Sequence, residues 1–346
     1  MLFKQTSSDY SYLNARVRGM KSALFQNSDF QELIRSKNLQ EAVEILKNKH
    51  LASYLNNPSH EISLERVEEA LRRDLCQITQ TLLNSLEGRP KILFETLLLF
   101  WDMEAIKTVL RGKFSERDPD EILSSTFPVG RLNEALLKEL SGAANVRSVI
   151  EILITWKSIF SKSLGKVLSQ FEETQNLFIL ESTLEKDFLN QINQTLQHLS
   201  LNELSLRKMM NDLKDIFNAR SSLRIRGQEL TLDQTLEYYL DKGTHLGKGQ
   251  FIQIVQSETS ESACHLIASI LMISEKPKDE VELERILDQR LFKNGMRSFL
   301  GDPLGFDLLL GFLFYKIAEV RNIRLILRGK KTNISMGKLE KELLNV

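Results

Sequence analysis

The stretch AEVRNIRLILRGK, residues 318 to 330, has two degenerate relatives upstream: WDMEAIKTVLRGK at 101 to 113 and DIFNARSSLRIRG at 215 to 227. Aligned without gaps, one column holds Asp102, Asp215 and Glu319. The next columns hold Ala105, Asn218 and Asn322, then Lys107, Arg220 and Arg324, then Leu110, Leu223 and Leu327, then Arg111, Arg224 and Arg328. The register extends outward. Leu75, Phe188 and Phe292 each stand 27 residues before the acidic position, and Gly130 and Gly243 each stand 19 residues after the last arginine column. Matches in that many columns argue for three homologous units of ordinary domain size. The expected units are residues 1–130, 131–245 and 246–346.

Within each copy the two basic columns are four residues apart, so Lys107 and Arg111, Arg220 and Arg224, and Arg324 and Arg328 each share one helix face. They fall towards the helix end, with Gly112, Gly227 and Gly329 expected as the residues just beyond it. Cations there complement the helix dipole by ~0.3–1 kcal/mol each. The six basic residues are therefore either helix-end charges or a set of equivalent groups presented to a shared partner.

The rest of the chain keeps a helical period. In SYLNARVRGMKSALF, Leu13, Val17, Met20 and Leu24 recur at steps of four, three and four; Leu64 to Leu82 behaves the same way, with Ser63 as a partial start signal. Strand-like alternation is hard to find. Pro58, Pro90 and Pro303 precede apolar-periodic runs, Pro119 and Pro128 bracket DEILSSTF, and no proline lies between Val129 and Lys276. The expected fold is all-α.

Lys plus Arg and Asp plus Glu both total 46, so the formal net charge is zero. A nucleic-acid binder normally carries a basic surplus to displace counterions from phosphates, and none exists here. Cys76 and Cys264 offer no disulfide framework, which suits a reducing compartment. The N-terminal stretch has no signal-peptide pattern. The most apolar stretch, GFDLLLGFLFYKIAEV, is interrupted by Asp307 and Lys316 and is shorter than the ~20 apolar residues of a membrane span.

No catalytic constellation emerges. GTHLGKG, 243 to 249, lacks the spacing, the following Ser or Thr and the preceding strand of a phosphate loop. His50, His60, His198, His245 and His265 show no metal-binding spacing, so no metal and no cofactor are expected. Cys264 and His265, adjacent on a helix, point about 100° apart and form no dyad. Met209, Met210 and the phrase FLFY (312–315) read as core.

YLNARVRGMKSALF, Tyr12 to Phe25, resembles the opening of the C-subunit family of archaeal and bacterial V-type (A-type) ATPases, where Tyr-x-Asn-Ala-Arg-x-Arg-x-Met is typical. Tyr12, Asn14, Ala15, Arg16, Arg18 and Met20 match. The closing EVRNIRLILRGKKTNIS is similar to that family's end. Ala105, where the other copies have Asn, and the second copy's SSLRIRG depart from the pattern. The resemblance implies a non-catalytic rotor part, the counterpart of the eukaryotic d subunit: an all-helical funnel of three domains around a pseudo-threefold axis. Its base would sit on the membrane proteolipid ring, and its mouth would receive the central shaft of subunits D and F. It would lie on the cytoplasmic face without spanning the membrane and would carry torque for ion transport or ATP synthesis. The alternatives are a helical scaffold for an unrelated protein, whose repeats would be more numerous and shorter, and a helical enzyme, which would need a convergent polar pocket.

Overall fold

The computed structural model describes residues 8–56, 63–198, 203–241 and 243–345; Pro58 and His60 lie outside the described residues. Among those residues the regular structure is entirely helical, as the periodicity predicts. An N-terminal helix α1 (Ser8–Ser22) leads into a short hairpin, α2 (Asn27–Arg35) and α3 (Leu39–Lys47), and a single turn α4 (Ala52–Leu55). Two long helices follow, α5 (Leu64–Asn84) and α6 (Gly88–Phe114), then α7 (Pro119–Ser124). The order recurs as the hairpin α8 (Glu134–Gly142) and α9 (Val146–Thr155), α10 (Ser161–Thr174), long helices α11 (Phe178–Thr195) and α12 (Leu204–Ile225), and α13 (Leu232–Glu237). It recurs again as α14 (Lys248–Val255), α15 (Ser260–Ile270), α16 (Glu280–Arg297), α17 (Asp307–Lys331) and α18 (Met336–Glu342).

The three hairpins share one register that the long-helix alignment does not contain. Their first helices are capped at Gln26, Asn133 and Gly247, and their second helices at Asn38, Asn145 and Thr259, always 12 residues later. Asn38, Asn145 and Thr259 each accept from the backbone N–H three residues on, at 2.9, 3.0 and 3.1 Å. Such caps contribute ~1 kcal/mol each. Four, five and eight residues past the second cap come buried apolar side chains: Ala42, Val43 and Leu46; Val149, Ile150 and Leu153; Ala263, Cys264 and Ile267. Cys264 thus occupies the core position of Val43 and Ile150, while its neighbour His265 is exposed, which explains why the two form no dyad.

Helix α17 is buried around most of its circumference, with Asp307, Lys316, Glu319, Asn322 and Arg324 enclosed among its apolar side chains. Phe312, Leu313 and Phe314 are fully enclosed, as are Met209 and Met210 of α12. Edge-to-face aromatic contacts tie α17 to its neighbours, Phe314 meeting Trp101 of α6 at 5.3 Å and Phe292 of α16 at 5.5 Å. No described helix is long and apolar enough to cross a membrane.

Two of the glycines expected just past helix ends lie inside them instead. Gly112 is within α6 and Gly329 within α17, because each makes room for a side chain ten residues on. A Cβ at Gly112 would stand 2.4 Å from Ile122 Cγ1, and one at Gly329 2.4 Å from Leu339 Cδ2. These glycines let α7 and α18 fold back against their parent helices. Only Gly227 has the expected role, with φ +77° two residues past α12.

Candidate functional site

The acidic column is a set of backbone latches. Asp102 accepts from the N–H groups of Arg131 (2.9 Å) and Leu132 (3.1 Å), just before hairpin α8–α9. Asp215 accepts from Thr244, His245 and Leu246 at 3.0, 2.8 and 2.9 Å, just before α14–α15. Glu319 accepts from Phe25 at 2.7 Å, just before α2–α3. Each carboxylate therefore holds the start of the next hairpin, and the last holds the first. The aligned glycines serve the same latches: a Cβ at Gly130 or Gly243 would fall 2.2 or 2.1 Å from the Oδ1 of Asp102 or Asp215. The phrase GTHLGKG does wrap an anion, but the anion is the protein's own Asp215. Burial pushes the Asp102 carboxyl up to about 6 against the pull of its two backbone donors.

The basic columns meet carboxylates across the same junctions. Lys107 donates to Glu104 at 3.0 Å on its own helix and to Glu185 of α11 at 2.8 Å. Arg111 pairs with Glu181 of α11. Arg220 bridges Glu284 (2.7 Å) and Asp288 (2.9 Å) of α16, and Arg321 also reaches Asp288 at 3.0 Å. Arg328 pairs with Glu68 of α5 at 2.6 Å and donates to the carbonyl and hydroxyl of Ser124. Glu68 and Glu181 each stand seven residues before the aligned Leu75 and Phe188, so Arg328–Glu68 and Arg111–Glu181 are the same contact made twice. Arg224 differs: it is exposed on the last turn of α12 and forms no ion pair among the described residues.

Arg324 also departs from the pattern. Only 5% exposed, it donates through Nη1 to the Thr126 carbonyl at 3.1 Å and lies 4.7 Å above the Phe127 ring. No carboxylate pairs with it among the described residues. Burial, with Arg328 and Arg72 nearby and only Glu68 opposing, pushes its guanidinium down to about 9.

Sequence reasoning missed a buried cluster around the Glu319 latch. His50 Nε2 lies 3.2 Å from Asp74 and 3.4 Å from Glu319, and Lys316 Nζ lies 2.5 Å from Asp74, in contact with Glu319 and 2.9 Å from His50. His50, Asp74 and Glu319 form a group of the kind that holds a cation, and the cation among them is the Lys316 ammonium. Burial alone would lower the His50 pKa, but its hydrogen bonds to Asp74 and Glu319 raise it to about 9. Burial would raise that of Glu319, but Lys316 and His50 bring it down to about 2. The cluster is thus two cations and two carboxylates, joining the turn after α3, α5 and α17. Its one signal in the sequence is Lys316, a charge that interrupts an apolar run.

The N-terminal motif residues separate. Asn14 is buried and donates to the carbonyls of Pro303 (2.9 Å) and Gly305 (3.1 Å), pinning α1 to the loop before α17. Arg16 donates to Ser85 Oγ at 2.8 Å. Tyr12, 73% exposed, and Arg18 face outward. A recess of about 1330 Å³ opens between α5, α7 and the end of α17, with acidic and basic side chains on its walls, among them Glu65, Arg66, Asp118, Glu121, Arg328 and Lys331.

Residues 13–342 match the profile of a family described as ATP synthase (C/AC39) subunit. The chain is 24% identical to the C subunit of the A-type ATP synthase of Methanocaldococcus jannaschii, over 97% of this chain and 86% of that protein. It is 26% identical to the C subunit of the A-type ATP synthase of Haloferax volcanii, over 97% and 98% of the two chains. It is 27% identical to the C subunit of the V-type ATP synthase of Deinococcus radiodurans, over 96% and 91%.

Proposed function

Because the chain belongs to the ATP synthase (C/AC39) subunit family, we propose that it is a non-catalytic central-stalk subunit of a rotary V/A-type ATPase. In this reading it is the socket that joins the shaft, subunits D and F, to the membrane proteolipid ring. It lies on the cytoplasmic face and passes torque between them during ion transport or ATP synthesis. The three units, 1–130, 131–245 and 246–346, surround a pseudo-threefold axis as a funnel.

The observation that carries the reading is the chain of latches from Asp102 through Asp215 to Glu319, whose last member returns to Phe25. A coupler must resist shear between its parts, and each junction here is held by backbone hydrogen bonds to a buried carboxylate, with ion pairs beside them. Such contacts have defined directions and little slack. The charged recess supports docking of a separable partner, since polar complementarity gives specificity and rapid association without a large apolar face.

Co-purification tests the proposal. The full chain, mixed with the proteolipid ring in detergent and with the D–F shaft complex, is expected to bind both at once. Failure to bind either, with both partners competent to assemble with a family member of known function, overturns it.

A further inference from the structure

We propose that the end of the molecule where α6, α12 and α17 begin is a docking face for a membrane surface rich in anionic lipid. The rotor reading places protein at the membrane; direct contact with lipid goes beyond it and is tested without any other subunit. Hydrogen bonds between elements draw that end together. Arg89, in the first turn of α6, donates to Glu203, the cap of α12, at 3.2 and 3.3 Å. Ser205 of α12 donates to Asp307, the first residue of α17, at 2.8 Å. Asn14 of α1 holds the carbonyls of Pro303 and Gly305 in the loop before α17, and Arg16 reaches Ser85 in the link between α5 and α6.

Large apolar side chains point outward at the same end. Tyr12, Ile92, Leu204, Leu300 and Leu304 are between 48% and 82% exposed. Each stands within three residues of one of the bonded groups: Ile92 follows Arg89, Leu204 lies between Glu203 and Ser205, and Leu304 lies between Pro303 and Gly305. Tyr12 precedes Asn14, and Leu300 precedes Pro303. Single exposed apolar residues are ordinary, but a group drawn from four elements to one end marks an interaction face.

The charge beside them has one sign. Arg18, Lys91, Lys208 and Arg297 are exposed and form no ion pair among the described residues. Against them, in these first turns and loops, stands one exposed carboxylate among the described residues, Glu87. Glu203 and Asp307 are buried, and half-buried Asp302 accepts from the Leu304 N–H at 2.9 Å. Past the other ends of the same helices Leu232 and Met336 are exposed too, but there Asp118, Asp120, Glu121, Glu229 and Asp233 are interleaved with the basic residues, and a negative surface would repel them. Aliphatic tips and a tyrosine beside unpaired basic groups match a bilayer with negative headgroups: the cations meet phosphates, the tyrosine suits headgroup depth, and the leucines enter the acyl boundary. A protein-docking face depletes lysine at its core instead.

Flotation of the full chain with protein-free vesicles tests the face, comparing phosphatidylcholine alone with an equal mixture of phosphatidylcholine and phosphatidylglycerol. The chain is expected to bind the anionic vesicles at least about tenfold more tightly than the neutral ones, and to be released as salt is raised. Lys91→Glu combined with Lys208→Glu is expected to weaken binding by about tenfold or more. Leu300→Ser combined with Leu304→Ser should also weaken it, with an unmoved unfolding midpoint because both side chains are exposed. Leu232→Ser combined with Met336→Ser, at the other end, should leave binding unchanged. The inference is overturned by absence of binding to anionic vesicles, by equal binding to neutral ones, or by an equal loss in the Leu232→Ser, Met336→Ser variant. A chain that ignores vesicles yet binds the proteolipid ring in detergent refutes the lipid contact and leaves the rotor reading standing.

Discussion

Glu319 accepts a hydrogen bond at 2.7 Å from the backbone N–H of Phe25, which lies 294 residues earlier in the chain. The same side chain holds Lys316 and His50, so one carboxylate closes the third junction and, together with Asp74, neutralises a buried pair of cations. Glu319→Ala strands Lys316 and His50 with Asp74 alone. Removing one partner from a buried ion pair costs about 3–5 kcal/mol. We expect a large fall in the unfolding midpoint, together with faster hydrogen exchange at the Phe25 amide. An unchanged exchange rate there would refute the latch.

The same cluster sets a pH dependence. The His50 pKa is about 9 in the folded protein against an ordinary value of 6.5, so its stabilisation is fully present below 6.5 and is lost as pH rises through 9. The Glu319 pKa is about 2 against an ordinary 4.5, so its stabilisation is present above 4.5 and is lost as pH falls towards 2. Stability from this cluster peaks between 4.5 and 6.5. His50→Gln is expected to flatten the alkaline limb, removing at most about 3 kcal/mol of its slope-integrated change. Denaturant midpoints measured across the neutral and alkaline range check this, and parallel alkaline limbs in the two proteins would contradict it.

The helical class was legible because buried faces recur at 3.6 residues, and the long-helix repeat because its acidic column makes the same backbone latch in each copy. Asp102 and Asp215 kept their glycines in register for a physical reason, the absence of room for a Cβ. The hairpin repeat was not legible. Its caps are interchangeable (Gln26, Asn133, Gly247) and its core positions accept Ala, Val, Ile or Cys alike. The partners of the basic columns, Glu68, Glu181, Glu185, Glu284 and Asp288, lie on helices whose contacts only the tertiary fold defines. The glycines at 112 and 329 show how a residue type with two uses misleads, since both a helix stop and a close helix approach ask for Gly.

Glycine at the second latch gives a test with an internal control. A Cβ at Gly243 would meet Asp215 Oδ1 at 2.1 Å and the backbone carbonyl of Asn211 at 2.5 Å, and the backbone cannot rotate away as a side chain can. A Cβ at Gly249, in the first turn of α14, meets nothing within 4 Å. Gly243→Ala is expected to destabilise by roughly 2–3 kcal/mol, in the range of overpacked sites. Gly249→Ala should be neutral or stabilising by up to ~1 kcal/mol, through its helix propensity. Thermal melts of the two variants should therefore move in opposite directions, or only the first should move.

Charge reversal of the outer arginine column separates structure from docking. Arg111→Glu opposes Glu181, and Arg328→Glu opposes Glu68, each across a junction between long helices. Both arginines are partly exposed, so each pair is worth no more than about 1 kcal/mol, and reversal adds repulsion of similar size. Both variants are expected to melt earlier, and a second reversal, Glu68→Arg on Arg328→Glu, should recover part of the loss. Arg224→Glu touches no carboxylate partner among the described residues, and its melting should stay within ~0.5 kcal/mol of the parent. Binding to the proteolipid ring and to the D–F shaft complex is then read on all three. Loss of binding by Arg224→Glu at unchanged stability would place the end of α12 in the docking surface, whereas retained binding would leave that arginine as a solvated helix-end charge.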